Sequence, residues 1–121
     1  MTFASLLRGR SAEDLAAEFL LGKGWTIVKR NFRVRGAELD LVGLDGDTLV
    51  FVEVKQRTTL DQGFPEEAVG PRKIAKLYLA AKFFLKLNAK HAHRDCRFDM
   101  IAVQGEGIEV QLRHLQDIAC V

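Results

Sequence analysis

The sequence predicts a mixed α/β (α+β) domain with its elements in the order α-β-β-β-α-β-β. Three observations carry that prediction. Residues 37–56 alternate apolar and polar side chains about a turn-forming Asp45-Gly46-Asp47-Thr48, the pattern of a β-hairpin. Residues 71–87 repeat apolar side chains at helical spacing behind a proline, the pattern of a helix lying on a core. A second, capped helical pattern precedes the strand-like runs, so helices and strands interleave, which means a mixed sheet with helices packed against it.

Residues 1–10 read as a lead-in to a single domain spanning 1–121. Ser11 is the expected N-cap of the first helix, with Asp14 three residues on completing a capping box. That helix runs to about Leu21, buries Leu15, Ala16, Phe19 and Leu20, and stops at Gly22 and Gly24. Residues 25–35 form a strand bent near Asn31. Gly36 separates it from hairpin strands at 37–43 and 48–56. Residues 57–70 are a long loop with Gly63, Pro65 and Gly70, and loops of this length are often functional. Pro71 opens the second helix, which runs to about Leu87. Its apolar stripe is Ile74, Leu77, Tyr78, Ala81 and Leu85. Arg72, Lys76, Lys86 and Lys90 lie opposite, and Lys73 lies at the border. Residues 97–103 and 108–112 close the sheet.

At 121 residues and 48% hydrophobic side chains, the chain is long enough for one ordinary core. The formal charge of +2 does not by itself announce nucleic-acid binding. The distribution says more. Residues 23–35 carry five Lys or Arg and no acid, and residues 72–94 carry seven Lys or Arg, two His and no acid. Such runs are commonly solvated faces, but beside an acid cluster they suit a polyanion cut with the help of a metal. No apolar stretch is long enough to cross a membrane, and none at the start resembles a signal peptide. Two cysteines, Cys96 and Cys120, are too few for a zinc site or disulfide framework. A reducing cytoplasm is the expected location.

The acids concentrate in the hairpin. Strand alternation puts Glu38, Asp40, Glu53 and Lys55 on one face, with Leu39, Leu41, Val50, Val52 and Val54 on the other. A turn centred between Gly46 and Asp47 sets Asp40 opposite Glu53; a turn on Asp45-Gly46 sets Glu38 there instead. Opposed residues have Cβ atoms about 4.5–5.5 Å apart, so either register crowds two carboxylates that a cation would relieve. Asp40 and Glu53 suit Mg²⁺, with Mn²⁺ as substitute, and the Val54 backbone carbonyl adds an oxygen. Lys55 is placed to orient an attacking water or to stabilise charge on a phosphate. Glu38 is an accessory acid or an ordinary strand-start residue. Glu-x-Lys alone is a weak signal. Its weight here comes from ending an apolar strand, facing Asp40 and preceding a basic helix.

That combined pattern resembles the PD-(D/E)XK nuclease superfamily, whose restriction-endonuclease-like core is αβββαβ. More closely, the chain is similar to the YraN-like family of small bacterial proteins, which resemble archaeal Holliday-junction resolvases. The resemblance covers about residues 9–103. It rests on Gly9-Arg10-Ser11-Ala12-Glu13-Asp14, Asn31-Phe32-Arg33, Gly36-Ala37-Glu38-Leu39-Asp40-Leu41, Val50 through Arg57, Pro71-Arg72-Lys73 and Arg97-Phe98-Asp99. Ala37 stands where a second glycine is usual. The resemblance implies that Asp40 and Glu53 hold metal, that Lys55 is catalytic and that Glu13 completes the site. It also implies a basic role for Lys73, action on DNA rather than RNA, including branched or structured DNA, and compatibility with a homodimer.

Blander readings accompany these. Glu13 also suits the helix dipole, Lys55 a snorkelling edge lysine, and Lys73 a surface position. Arg33, Arg35, Arg57, Arg72, Lys73 and Lys76 are the expected nucleic-acid contacts, with Gln56 accessory. His91 and His93 read as a solvated loop, Asp99 as a partner of Arg97 or a buried cap, and Trp25 and Phe32 as core. The rival function is a nucleic-acid-binding module with this fold and no significant turnover.

Overall fold

The computed structural model describes residues 11–119 apart from Leu60, Gln62 and Glu106. The expected lead-in, with Gly9 and Arg10, and Cys120 lie outside the described residues. Helix α1 (Ala12–Gly22) is followed by strands β1 (Thr26–Val34), β2 (Ala37–Asp45) and β3 (Thr48–Arg57). A 3₁₀ turn (Pro65–Ala68) leads to helix α2 (Pro71–Leu87), then β4 (Cys96–Gln104) and β5 (Gln111–Leu115). The five strands form one sheet in sequential order. All neighbours are antiparallel except β3 and β4, which run parallel and are joined across α2. Among the described residues no helix is long and apolar enough to cross a membrane.

Local chemistry fixes the start of α1. Ser11 Oγ accepts from the Asp14 N–H at 3.0 Å, and the Asp14 carboxylate accepts from the Ser11 N–H at 3.2 Å, the reciprocal pair of a capping box. The hairpin turn is Gly46-Asp47, with Asp45 opposite Thr48. Gly46 takes a φ of +62°, which a residue without Cβ adopts freely.

The helices lie on opposite faces of the sheet. Ala16, Ala17 and Leu20 of α1 pack with Trp25, Leu41, Val50, Val52, Ile101 and Val103. Leu77, Ala80, Ala81 and Phe84 of α2 pack with Phe32, Leu39, Val42, Leu49, Phe51 and Phe98. Trp25 and Phe32 are thus core residues, as expected.

Several expectations need correction. Leu39 does not share a face with Leu41, Val50, Val52 and Val54; it packs under α2 and they pack under α1. The chain turns over between Leu39 and Leu41, opposite Asn31, whose φ of +54° breaks the alternation of β1. The α2 stripe is rotated toward Ala80 and Phe84, leaving Tyr78 43% exposed with its ring on Phe98. His91 is buried rather than solvated: it stacks on Phe84, and Arg94 Nε donates to its Nδ1 at 3.0 Å. The last strand is Gln111–Leu115, because Gly107–Glu109 forms a 3₁₀ turn first.

That strand completes the setting of Asp99, which is fully buried. Its carboxylate accepts from Arg97, from the Asp117 N–H at 2.9 Å and from His114 Nε2 at 2.8 Å. Asp99 is both ion pair and cap, and these donors hold its carboxyl below the usual range against the opposing effect of burial.

Candidate metal and nucleic-acid site

The site lies where β2 and β3 part. Their backbone pairing runs from Asp45–Thr48 to Leu41–Val52. Beyond that rung β2 stays beside β1 as far as Ala37, while β3 stays beside β4 as far as Arg57. A notch opens at the next pair, Asp40 and Glu53. This is the register with Asp40 facing Glu53; the one pairing Glu38 with Glu53 does not occur.

The parting deprives β3 of backbone partners, and unpaired backbone groups are costly. Asp40 supplies one: its Oδ2 accepts from the Val54 N–H at 2.8 Å. In an extended strand the N–H and C=O of a residue leave on the same edge. The Val54 carbonyl therefore addresses the notch too.

Glu53 is buried, and its carboxyl is raised from 4.5 to about 7. Burial is the largest cause and the Asp40 charge the next, while Lys73 and Lys55 oppose them. Asp40 is raised as well, by burial first and by the charges of Glu38 and Glu13, against the Val54 hydrogen bond and Lys73. Lys73 Nζ lies 3.2 Å from Glu53 Oε1. The other oxygen, Oε2, is buried with no hydrogen-bond partner among the described residues.

Glu13 comes close enough for its charge to be felt at Asp40, but its nearest partner is Arg30 Nε at 3.4 Å. Arg30 also reaches Asp14 at 2.6 Å. Glu38 pairs with Arg33 at 3.2 Å, both well exposed. Arg33, Glu38, Lys73 and Lys76 line a groove of about 330 Å³ beside the notch. At the end of β3, Gln56, Arg57, Thr58, Thr59 and Asp61 line a depression of about 320 Å³. Arg35 and Arg72 are exposed and border neither hollow.

The structure thus brings Asp40, Glu53, Lys55 and Lys73 together, with Glu13 and Glu38 at the margin. Arg30, Thr58 and Thr59 were not expected here. Arg30 had one signal, its place in the basic run before Asn31.

Two carboxylates and a backbone carbonyl are hard oxygen donors of the kind Mg²⁺ takes. Among the described residues no three His, Cys, Asp or Glu side chains gather tightly enough to hold a metal ion alone. That fits Mg²⁺, which typically uses one or two carboxylates and completes its shell with water and substrate phosphate. The unpartnered Glu53 Oε2 is the position such an ion would satisfy.

The family model described as "Uncharacterised protein family UPF0102" matches residues 12–103, which include every acid and lysine of the notch. The chain belongs to the UPF0102 family. A UPF0102 protein of Prosthecochloris aestuarii is 46% identical over 101 residues, covering 84% of this chain and 79% of the relative. One from Paenarthrobacter aurescens is 44% identical over 113 residues, 93% of each chain. One from Pseudomonas entomophila is 46% identical over 99 residues, covering 82% and 80%.

Proposed function

We propose that this UPF0102 protein is a Mg²⁺-dependent endonuclease-like enzyme of the PD-(D/E)XK type, acting on DNA in the cytoplasm. The observation that carries the reading is the notch itself. Two mutually repelling carboxylates sit in a gap between strands, one with a buried oxygen that has no hydrogen-bond partner among the described residues. A structural ion pair needs neither the gap nor the orphaned oxygen.

Asp40, Glu53 and the Val54 carbonyl would hold the ion. Bound there, it supplies charge neutralisation at phosphate and activation of water. Lys55 follows Glu53 by two residues on the same strand, and its charge is felt by the Glu53 carboxyl. From there it orients water or stabilises negative charge on the phosphate. Arg33, Lys73 and Lys76 border the adjoining groove and provide phosphate contacts. The resemblance to resolvases favours DNA, branched DNA included, and a homodimer.

A second reading has support of its own. Glu53 already has Lys73 and Glu13 already has Arg30, as in a binding module that needs no metal. Cleavage assays with Mg²⁺ separate the two. The nuclease reading requires that Glu53→Ala or Lys55→Ala abolish cleavage while DNA binding persists. Cleavage unchanged in both variants refutes the mechanism. Strongly salt-dependent binding with no metal-stimulated cleavage selects the binding module.

A further inference from the structure

Lys73 occupies an odd place for a lysine. It lies in the first turn of α2, where a positive charge opposes the helix dipole, yet its ammonium is aimed at Glu53 Oε1. The pair is lopsided. The Glu53 side chain is 8% exposed and that of Lys73 is 34% exposed. The carboxylate is fixed on a central strand, whereas the ammonium sits on a flexible stem at the edge of the groove shared with Arg33 and Lys76. Lys73 also leaves the job half done, since Glu53 Oε2 has no partner among the described residues.

Arg30 provides the contrast. It is held by both Glu13 and Asp14, and Asp14 is locked in the capping box. Among the described residues two anchors keep Arg30 in place and Lys73 has one, Glu53.

We propose that Lys73 is an exchangeable counter-ion, which neutralises Glu53 in the free protein and passes to a substrate phosphate when a divalent cation takes the carboxylates. The inference rests on the proposed nuclease reading and adds a regulatory property to the same site. With no polyanion, an incoming ion must displace the ammonium. With no ion, a polyanion meets a lysine already neutralised. Each ligand releases what the other needs, so the two bind cooperatively, and the coupling is reciprocal. Binding of nucleic acid thereby loads the metal, and a free site stays largely metal-poor.

The test uses Ca²⁺, an oxygen-preferring divalent probe, and a fluorescent DNA duplex. Calorimetry gives the Ca²⁺ affinity of the protein alone. Anisotropy at constant ionic strength gives the DNA affinity with and without Ca²⁺. In the native protein Ca²⁺ should strengthen DNA binding about fivefold or more. In Lys73→Met, Ca²⁺ alone should bind about threefold more tightly, since the competing ion pair is gone, and the Ca²⁺ effect on DNA should fall toward none. Lys86→Met, an exposed lysine on the same helix, should keep the coupling. Lys73→Gln carries the same measurement if Lys73→Met unfolds on melting analysis. A native protein that binds Ca²⁺, with Lys73→Met binding it no more tightly or coupling it as strongly, overturns the exchange and leaves the nuclease reading standing. A native protein that takes up no divalent ion, with or without DNA, overturns both.

Discussion

Replacing Glu53 by Gln should stabilise the protein at pH 8 and leave it nearly unchanged at pH 5. Raising the carboxyl from 4.5 to about 7 costs roughly 1.4 kcal/mol for each unit by which it is raised once the group is ionised, or about 3 kcal/mol at pH 8. That value already includes the attraction of Lys73. The folded state binds the extra proton between the two values, so stability falls as pH rises from about 4.5 to about 7 and stays low above. At pH 5 the folded carboxyl is still protonated, and the penalty is under about 1 kcal/mol. Gln keeps an oxygen for Lys73 and removes the charge beside Asp40. Urea unfolding in a chelating buffer at the two pH values measures the difference, expected to be about 2–3 kcal/mol in favour of Glu53→Gln at pH 8. Reversal of that sign, with Glu53→Gln clearly weaker than native at pH 8, would mean that the Lys73–Glu53 pair stabilises the fold and that the notch stores no electrostatic strain.

Three further outcomes follow from the packing. Asp99→Ala removes the buried acceptor of His114 and leaves Arg97 paired with Asp45 alone among the described residues, and should cost about 3–5 kcal/mol, measured by urea unfolding. Because the Asp99 carboxyl is held below 3.8, its contribution is present above that value and lost as pH falls below it; acid unfolding of the native chain should therefore include a transition that the variant lacks. Phe84→Ala removes a ring set edge-on to Phe32 and Phe51 and should cost about 3–5 kcal/mol, a loss of comparable size at pH 5 and pH 8. Ser11→Ala breaks the capping box and should cost about 1 kcal/mol, visible as earlier hydrogen exchange in α1.

Features set by a few neighbouring residues were legible in the sequence. Ser11 and Asp14 announce the cap, and Asp45-Gly46-Asp47-Thr48 announces a turn whose realised register faces Asp40 with Glu53. Of the two basic residues in the first turn of α2, Lys73 reaches Glu53, whereas Arg72 is exposed and borders neither hollow. What failed depends on distant backbone. Leu39 changes face because Asn31, on another strand, takes a left-handed conformation. Arg30 reaches Glu13 only once α1 docks on the sheet. The His114 bond to Asp99 was hidden because residues 108–112 read as the last strand, which placed His114 beyond it. Asp99 itself was legible as a pairing or capping residue, through Arg97 two positions away.

On the proposed reading Asp40 and Glu53 form a metal site. The most direct measurement is calorimetric titration of Mg²⁺ and Mn²⁺ into the native protein and into Asp40→Asn/Glu53→Gln, each alone and with DNA present. Uptake by the native protein is expected, strengthened by DNA and lost in the double variant. Uptake by neither protein, even with DNA supplying phosphate oxygens, would contradict that reading and leave a fold that binds nucleic acid without cutting it.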